Sequence, residues 1–114
     1  MVNPSGRIGR DGEHQAIQYL NESGFYDLER EGRRAPSLDI IGTQLPVPNE
    51  VKRQGALAIP AWTREMERRH SPRWALWVIQ RDARRNLHPD LMIVPAVYGA
   101  HLQYLDALEL GLIS

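Results

Sequence analysis

The chain contains no cysteine, so it can form neither a disulfide framework nor a thiolate metal site. No apolar run approaches the roughly 18 residues of a membrane-spanning helix, and no membrane partner is expected. The first ten residues lack the apolar core of a signal peptide. A Gly-x₄-Gly-Lys phosphate loop is absent, so no nucleotide cofactor is expected. The serines lack the strand-turn-helix setting of a nucleophile elbow. The four histidines are dispersed, without metal-ligand spacing, and none is expected to act in chemistry. Lysine is almost missing: of 14 basic residues only Lys52 is not arginine. The stretch from Asn86 to Ser114 has no basic residue at all.

What is present suits a soluble globular chain. With 114 residues, 42% hydrophobic and 25% charged, one domain over 1–114 is expected, with a modest core. The formal net charge is zero, but it is unevenly spread. All 14 basic residues lie between Arg7 and Arg85, among 11 acidic ones. Any binding of phosphates must therefore come from local clusters and not from net charge.

Residues 1–10 read as a flexible basic lead-in. A helix is expected over Asp11–Ser23, stopped by Gly24. Asp27–Arg33 reads as extended, Leu38–Ile41 as a short apolar strand, and Val47–Gln54 as a strand entered after Pro46 and Pro48. Ile59–His70 reads as a second helix with Pro60 in its first turn and Trp62, Met66 and Ile59 facing inward. Trp74–Gln80 is a strand apolar on both faces. A polar, arginine-rich loop over Arg81–Pro89 precedes a strand at Leu91–Val94 and a final helix over Ala96–Leu110. The order is α-β-β-β-α-β-β-α. It predicts a three-strand meander, a helical crossover to a fourth strand, and an α/β or α+β sandwich with a mixed sheet. The three tryptophans are expected in the core.

Four residues stand out as carriers of chemistry: Glu13, Asp39, Glu50 and Lys52. Asp39 interrupts an apolar strand, where a carboxylate is costly unless paired or bound to metal. Alternation along the next strand puts Glu50, Lys52 and Gln54 on one side and Val51 and Arg53 on the other. If the two strands are neighbours, Asp39 and Glu50 converge on one Mg²⁺ or Mn²⁺, an ion that takes few protein ligands and keeps its waters. The carbonyl of Val51 is a further candidate ligand, and Glu13 can reach the site through a metal-bound water. Lys52 supplies a compact ammonium for the scissile phosphate or the attacking water, a task the wide guanidinium of arginine suits poorly. Metal-activated water and these groups suffice to hydrolyse a phosphodiester.

Asp39 followed by Glu50-Val51-Lys52 resembles the signature of the PD-(D/E)xK nuclease superfamily. The early helix with Glu13, the Gly24-Phe25 step and the Arg33-Arg34 pair resemble archaeal and phage Holliday-junction resolvases within it. The likeness covers roughly residues 6–80. It implies a restriction-endonuclease-like αβββαβ core, to which this chain adds a strand and a C-terminal helix. It also implies two Mg²⁺ or Mn²⁺ ions and a homodimer that cuts two strands of branched DNA. Glu13, Asp39 and Glu50 are then the metal acids and Lys52 the catalytic lysine. The resolvases carry an active-site serine shortly before the aspartate, and Ser37 is the nearest match. Leu38 stands where the superfamily name has proline.

Arg7, Arg10, Arg33 and Arg34, beside glycines that let backbone approach phosphates, are candidate DNA contacts. So are Arg53, Gln54, Arg81, Arg84 and Arg85. Arg64, Arg68 and Arg69 read instead as a solvated helix face paired with Glu65 and Glu67. The apolar segment after Leu91 suits a homodimer contact. Two other readings stay open: a repair or restriction-type nuclease with the same chemistry, and a DNA-binding module without catalysis. A cytoplasmic location is expected, the host cytoplasm if the chain is phage-encoded.

Overall fold

The computed structural model describes residues 4–31, 40–53, 57–80 and 88–114, with side chains from residue 11 onward. The elements are α1 (Pro4–Ser23), β1 (Glu29–Arg30), β2 (Ile40–Ile41), β3 (Asn49–Lys52), α2 (Ile59–His70), β4 (Ala75–Val78), β5 (Leu91–Ile93) and α3 (Ala96–Glu109). Their order matches the one the sequence predicts. The fold is α+β, with one five-stranded mixed sheet and three helices.

The sheet runs β1-β2-β3-β4-β5. β1, β2 and β3 form the expected antiparallel meander, with Arg30 opposite Ile40 and Ile40 opposite Asn49. β3 and β4 are parallel, in a register that sets Glu50 beside Leu76 and Lys52 beside Val78. A parallel neighbour needs a long crossover, and α2 provides it. β5 returns antiparallel on β4 and forms the sheet's far edge. β4 is buried along its whole length, as its unbroken apolar run requires.

Alternation along β4 sorts the helices onto two faces. Trp77 and Ile79 pack with Ala16 and Leu20 of α1, and Val51 joins them. Ala75, on the same side as Trp77, packs with Tyr98 of α3. Leu76 and Val78 point the other way, onto Met66 and Trp62 of α2. So α1 and α3 cover one face and α2 covers the other. Two of the three expected inner residues of α2, Met66 and Trp62, take part in this packing, whereas half-buried Ile59 joins none of the core clusters, and the tryptophans lie in or against the core as expected.

The N-terminal end differs from expectation. α1 begins at Pro4, and the flexible lead-in expected over residues 1–10 is helical from that residue on. Three glycines at positions 6, 9 and 12 favour the lead-in reading. Gly12 has another use. A Cβ there would lie 2.9 Å from Arg53 Cβ and 3.4 Å from Val51 Cγ1. Its missing side chain lets α1 lie directly on β3. The helix closes as expected at Gly24, whose φ of 120° suits glycine. Phe25 N–H donates to Leu20 O at 3.1 Å and Gly24 N–H to Asn21 O at 3.1 Å, the paired bonds of a Schellman end.

β1 and β3 are shorter than the stretches the sequence suggests, with β3 ending at Lys52, and residues 38 and 39 of the expected Leu38–Ile41 strand lie outside the described residues. The loop expected at Arg81–Pro89 lies outside the described residues up to position 87. No helix among the described residues is long and apolar enough to cross a membrane.

Candidate functional site

β3 lies in the middle of the sheet and carries both of the adjacent site candidates. Val51 packs into the α1 side of the core, and Arg53 lies against Gly12 of α1. Glu50 and Lys52 therefore face α2, as the alternation predicts. Glu50 is buried at 8% exposure, a charge that must be compensated to stay there.

The compensation comes from the last turn of α2. Arg69 Nη2 makes an ion pair with Glu50 Oε1. His70 Nε2 lies 3.5 Å from Glu50 Oε2, and Arg69 Nη2 lies 3.2 Å from that same ring nitrogen. Lys52, on the same side of β3, has no salt-bridge partner among the described residues. The α2-facing side of β3 thus gathers one buried carboxylate, one ammonium, one guanidinium and one imidazole.

Arg69 and His70 are additions to the expected site. Arg69 reads from sequence as a solvated residue, and no histidine is expected near chemistry. The signal that finds them is helical spacing: Trp62, Met66, Arg69 and His70 stand at i, i+4, i+7 and i+8, one stripe of a helix. The outer side of α2 behaves as expected. Arg68 Nη2 pairs with Glu65 Oε1 at 2.5 Å in the open. That hydrogen bond holds the Glu65 carboxyl below its ordinary pKa and the Arg68 guanidinium above its own. Glu67 is lowered by hydrogen bonds from Ser71 and then from Trp74, whose Nε1 donates at 2.8 Å.

Glu13 stands apart from this cluster. Its Oε2 accepts from Arg30 Nε at 2.5 Å, joining α1 to β1. α1 covers the sheet face opposite α2, and the described neighbours of Glu13 and Glu50 belong to different elements. Arg53, a candidate DNA contact, turns to the α1 side. Its Nε donates to Gln80 O at 3.3 Å, and its Nη1 lies 3.4 Å from Asp11 Oδ2. Asp39, Ser37, Arg33, Arg34, Gln54, Arg81, Arg84 and Arg85 lie outside the described residues, and so do the side chains of Arg7 and Arg10. Among the described residues, no three His, Asp or Glu side chains cluster in a way that could hold a metal ion.

The α1 side of β3 and β4 is tied by a hydrogen-bond network. Trp77 Nε1 donates to Asn49 Oδ1 at 2.8 Å, and Asn49 Nδ2 donates to Val47 O at 2.9 Å. Tyr19 stacks on Trp77 with ring centroids 6.0 Å apart and donates its hydroxyl to Asp90 Oδ2 at 2.7 Å. That hydrogen bond to a carboxylate raises the phenol's pKa. Asp90 Oδ1 also accepts from the backbone N–H of Gln80 at 2.7 Å, so one carboxylate joins α1, the end of β4 and the approach to β5.

No protein-family model, no curated protein and no solved structure matches the chain.

Proposed function

We propose that the chain is a divalent-metal-dependent DNA endonuclease of the PD-(D/E)xK type, acting on branched DNA such as four-way junctions. The observation that carries this reading is the shared orientation on central β3 of buried Glu50 and of Lys52, which has no salt-bridge partner among the described residues. A carboxylate buried in an ion pair is costly to keep for packing alone. Asp39 is bonded directly to Ile40, and Ile40 is the register partner of Asn49, the neighbour of Glu50. The first six elements, α1 through β4, follow the αβββαβ order of such a core, with the antiparallel meander and the parallel crossover in sequence.

Glu50 and Asp39 are the carboxylates that fit a hard cation, and two such ligands suit Mg²⁺ or Mn²⁺. A bound ion supplies a polarised phosphate and a water made acidic enough to attack at neutral pH. Lys52 would offset the negative charge that grows on the phosphoryl oxygens during hydrolysis. Glu13, committed to Arg30, is left out of this step.

The exposed stripe of α3 supports a homodimer. Leu102 packs on the sheet, whereas Leu105 and Leu108, at the next helical positions, are 46% and 39% exposed. A non-catalytic DNA-binding module is the second reading, and the closed Glu13–Arg30 pair favours it. One assay separates them: incubation with four-way, flap, nicked and linear DNAs, with Mg²⁺ and with chelator. Mg²⁺-dependent cutting of junctions ahead of linear DNA is the expected result. Binding without cutting in every metal tried points to the second reading.

A further inference from the structure

The two edges of the sheet are unlike. β1 closes one side with Glu29 and Arg30, and Arg30 is ion-paired to Glu13. Charged side chains on an edge strand guard it against pairing with a strand of another chain. β5 closes the other side with Leu91, Met92 and Ile93, a strand with no charge and no proline. Leu91 and Met92 are 38% and 45% exposed, and among the described residues no strand lies beyond them. The backbone N–H and C=O groups along such an edge are a template for a further strand. α3 follows β5 closely and keeps its character, with Val97, Tyr104, Leu105 and Leu108 exposed. From Asn86 to Ser114 there is no lysine or arginine, so a nucleic acid or an anionic membrane finds no counter-charge on this side.

The strand that fits this edge is itself apolar and uncharged, and β5 meets that description. We propose that β5 pairs antiparallel with β5 of a second copy of the chain, about a two-fold axis at Met92, so that two sheets become one. This inference rests on the homodimer reading and gives that dimer a geometry. Met92 of one copy lies opposite Met92 of the other, and Leu91 opposite Ile93. Asp90, the nearest charge in sequence, falls opposite Val94 and already accepts from Tyr19 and from the Gln80 N–H. No like charges meet in this register, as they do when a charged edge pairs with itself. Three strand residues cover far less than the ~800 Å² that each partner gives to a stable interface, and the exposed apolar side chains of α3 supply the remaining area. Met92 is the register partner of Trp77 and points to the α1 side, whereas Leu91 partners Val78 and points to the α2 side. A two-fold axis perpendicular to the sheet keeps those sides in common. The two β3 strands then lie five strand spacings apart, about 24 Å, with Glu50 and Lys52 of both copies on one side.

The chain has no cysteine, so one introduced thiol reports on the pairing without competition. Residues directly opposite in an antiparallel pair sit about 4.5–5.5 Å apart at Cα, within the span of a disulfide. The full chain carrying Met92→Cys, treated with a mild thiol oxidant, is expected to run as a covalent dimer on a non-reducing gel. Tyr26→Cys, exposed three residues before the opposite edge strand, is expected to stay monomeric on the same gel. Cross-linking of Met92→Cys no faster than that of Tyr26→Cys overturns the proposal. Sedimentation equilibrium gives a second readout. Met92→Lys sets two ammonium groups face to face and is expected to weaken dimerisation at least about ten-fold, and an equal mixture with Met92→Glu is expected to restore it. A mixture no more dimeric than either variant alone overturns the two-fold at Met92. If the charged variants do not fold, the thiol pair decides. A monomeric unaltered chain overturns both this inference and the homodimer reading. A dimer that Met92→Lys leaves equally tight removes this inference alone.

Discussion

Toward α1, β3 presents Asn49 and Val51, and Arg53 follows them just past its end; toward α2 it presents Glu50 and Lys52. The first side joins an apolar cluster around Ala16, Leu20 and Trp77, and its buried polar atoms are satisfied in neutral pairs such as Trp77 with Asn49. The second side buries a charge, answers it with Arg69, and leaves Lys52 without a salt-bridge partner among the described residues. Neutral satisfied pairs rigidify a core at little electrostatic cost. A buried ion pair of similar size often stabilises no more than apolar residues would. The contrast separates two environments on one strand four residues long: the α1 side is packed into the core, and the α2 side holds the charged groups on which the proposed function rests.

Substitutions can break this contrast. The largest stability loss is expected on the α1 side. Trp77→Ala removes a ring 7% exposed, its stack with Tyr19 and its bond to Asn49, and is expected to cost ~3–5 kcal/mol in urea denaturation. A loss well under that range means that the Tyr19–Trp77–Asn49 network is not what binds α1 to the sheet.

Lys52→Ala and Lys52→Arg sharpen the contrast from the other side. Both are expected to abolish most cleavage while changing stability by no more than about 0.5 kcal/mol, because Lys52 has no described salt bridge to lose. Near-normal activity in the arginine variant makes Lys52 a generic cation and removes the reason for a lone lysine.

A smaller effect is expected at the exit of α2, read as acid sensitivity. Hydrogen bonds from Ser71 and Trp74 depress the Glu67 carboxyl below its ordinary pKa. A group depressed in the folded state stabilises fully above its unfolded pKa, and the contribution fades as pH falls through the folded value. Glu67→Gln is therefore expected to be less stable than the unaltered chain at neutral pH, with the gap closing as the solution is acidified. A gap that widens on acidification reverses the assignment. The smallest effect on folding belongs to α3. The pair Leu105→Glu and Leu108→Glu, exposed in the single chain, is expected to leave monomer stability within about 0.5 kcal/mol. It is expected to shift sedimentation equilibrium toward monomer.

These two sides of β3 were unequally legible in the sequence. The bounds of α2, Ile59–His70, follow from its apolar spacing and from Pro60 in its first turn. β4 follows from an apolar run with no polar break, and the crossover between parallel β3 and β4 follows from a helix lying between two strands. The orientation of Glu50 and Lys52 follows from alternation alone. The partner of Glu50 does not, because Arg69 and His70 lie almost twenty residues on and meet it only through sheet register and helix placement. The helical stripe from Trp62 to His70 held that information, but charged residues ending a helix are usually solvated. The partner of Glu13 was hidden for a similar reason. Its place near the start of a helix fits the resemblance, yet α1 covers the opposite face, where Arg30 takes it. The glycines of α1 suggested a flexible start, whereas Gly12 is a point of close contact with β3.

Cleavage of a four-way DNA junction in Mg²⁺, compared between the unaltered chain and Glu50→Gln, tests the division of labour on β3 most directly. The exchange keeps the shape of the side chain and removes its charge, so the variant is expected to fold, with stability reduced by ~1–3 kcal/mol through the weakened Arg69 pair. The predicted result is Mg²⁺-dependent cutting by the unaltered chain and none by the folded variant, with junction binding kept. Cutting by Glu50→Gln at the unaltered rate, or no cutting of any DNA by the unaltered chain, contradicts the account.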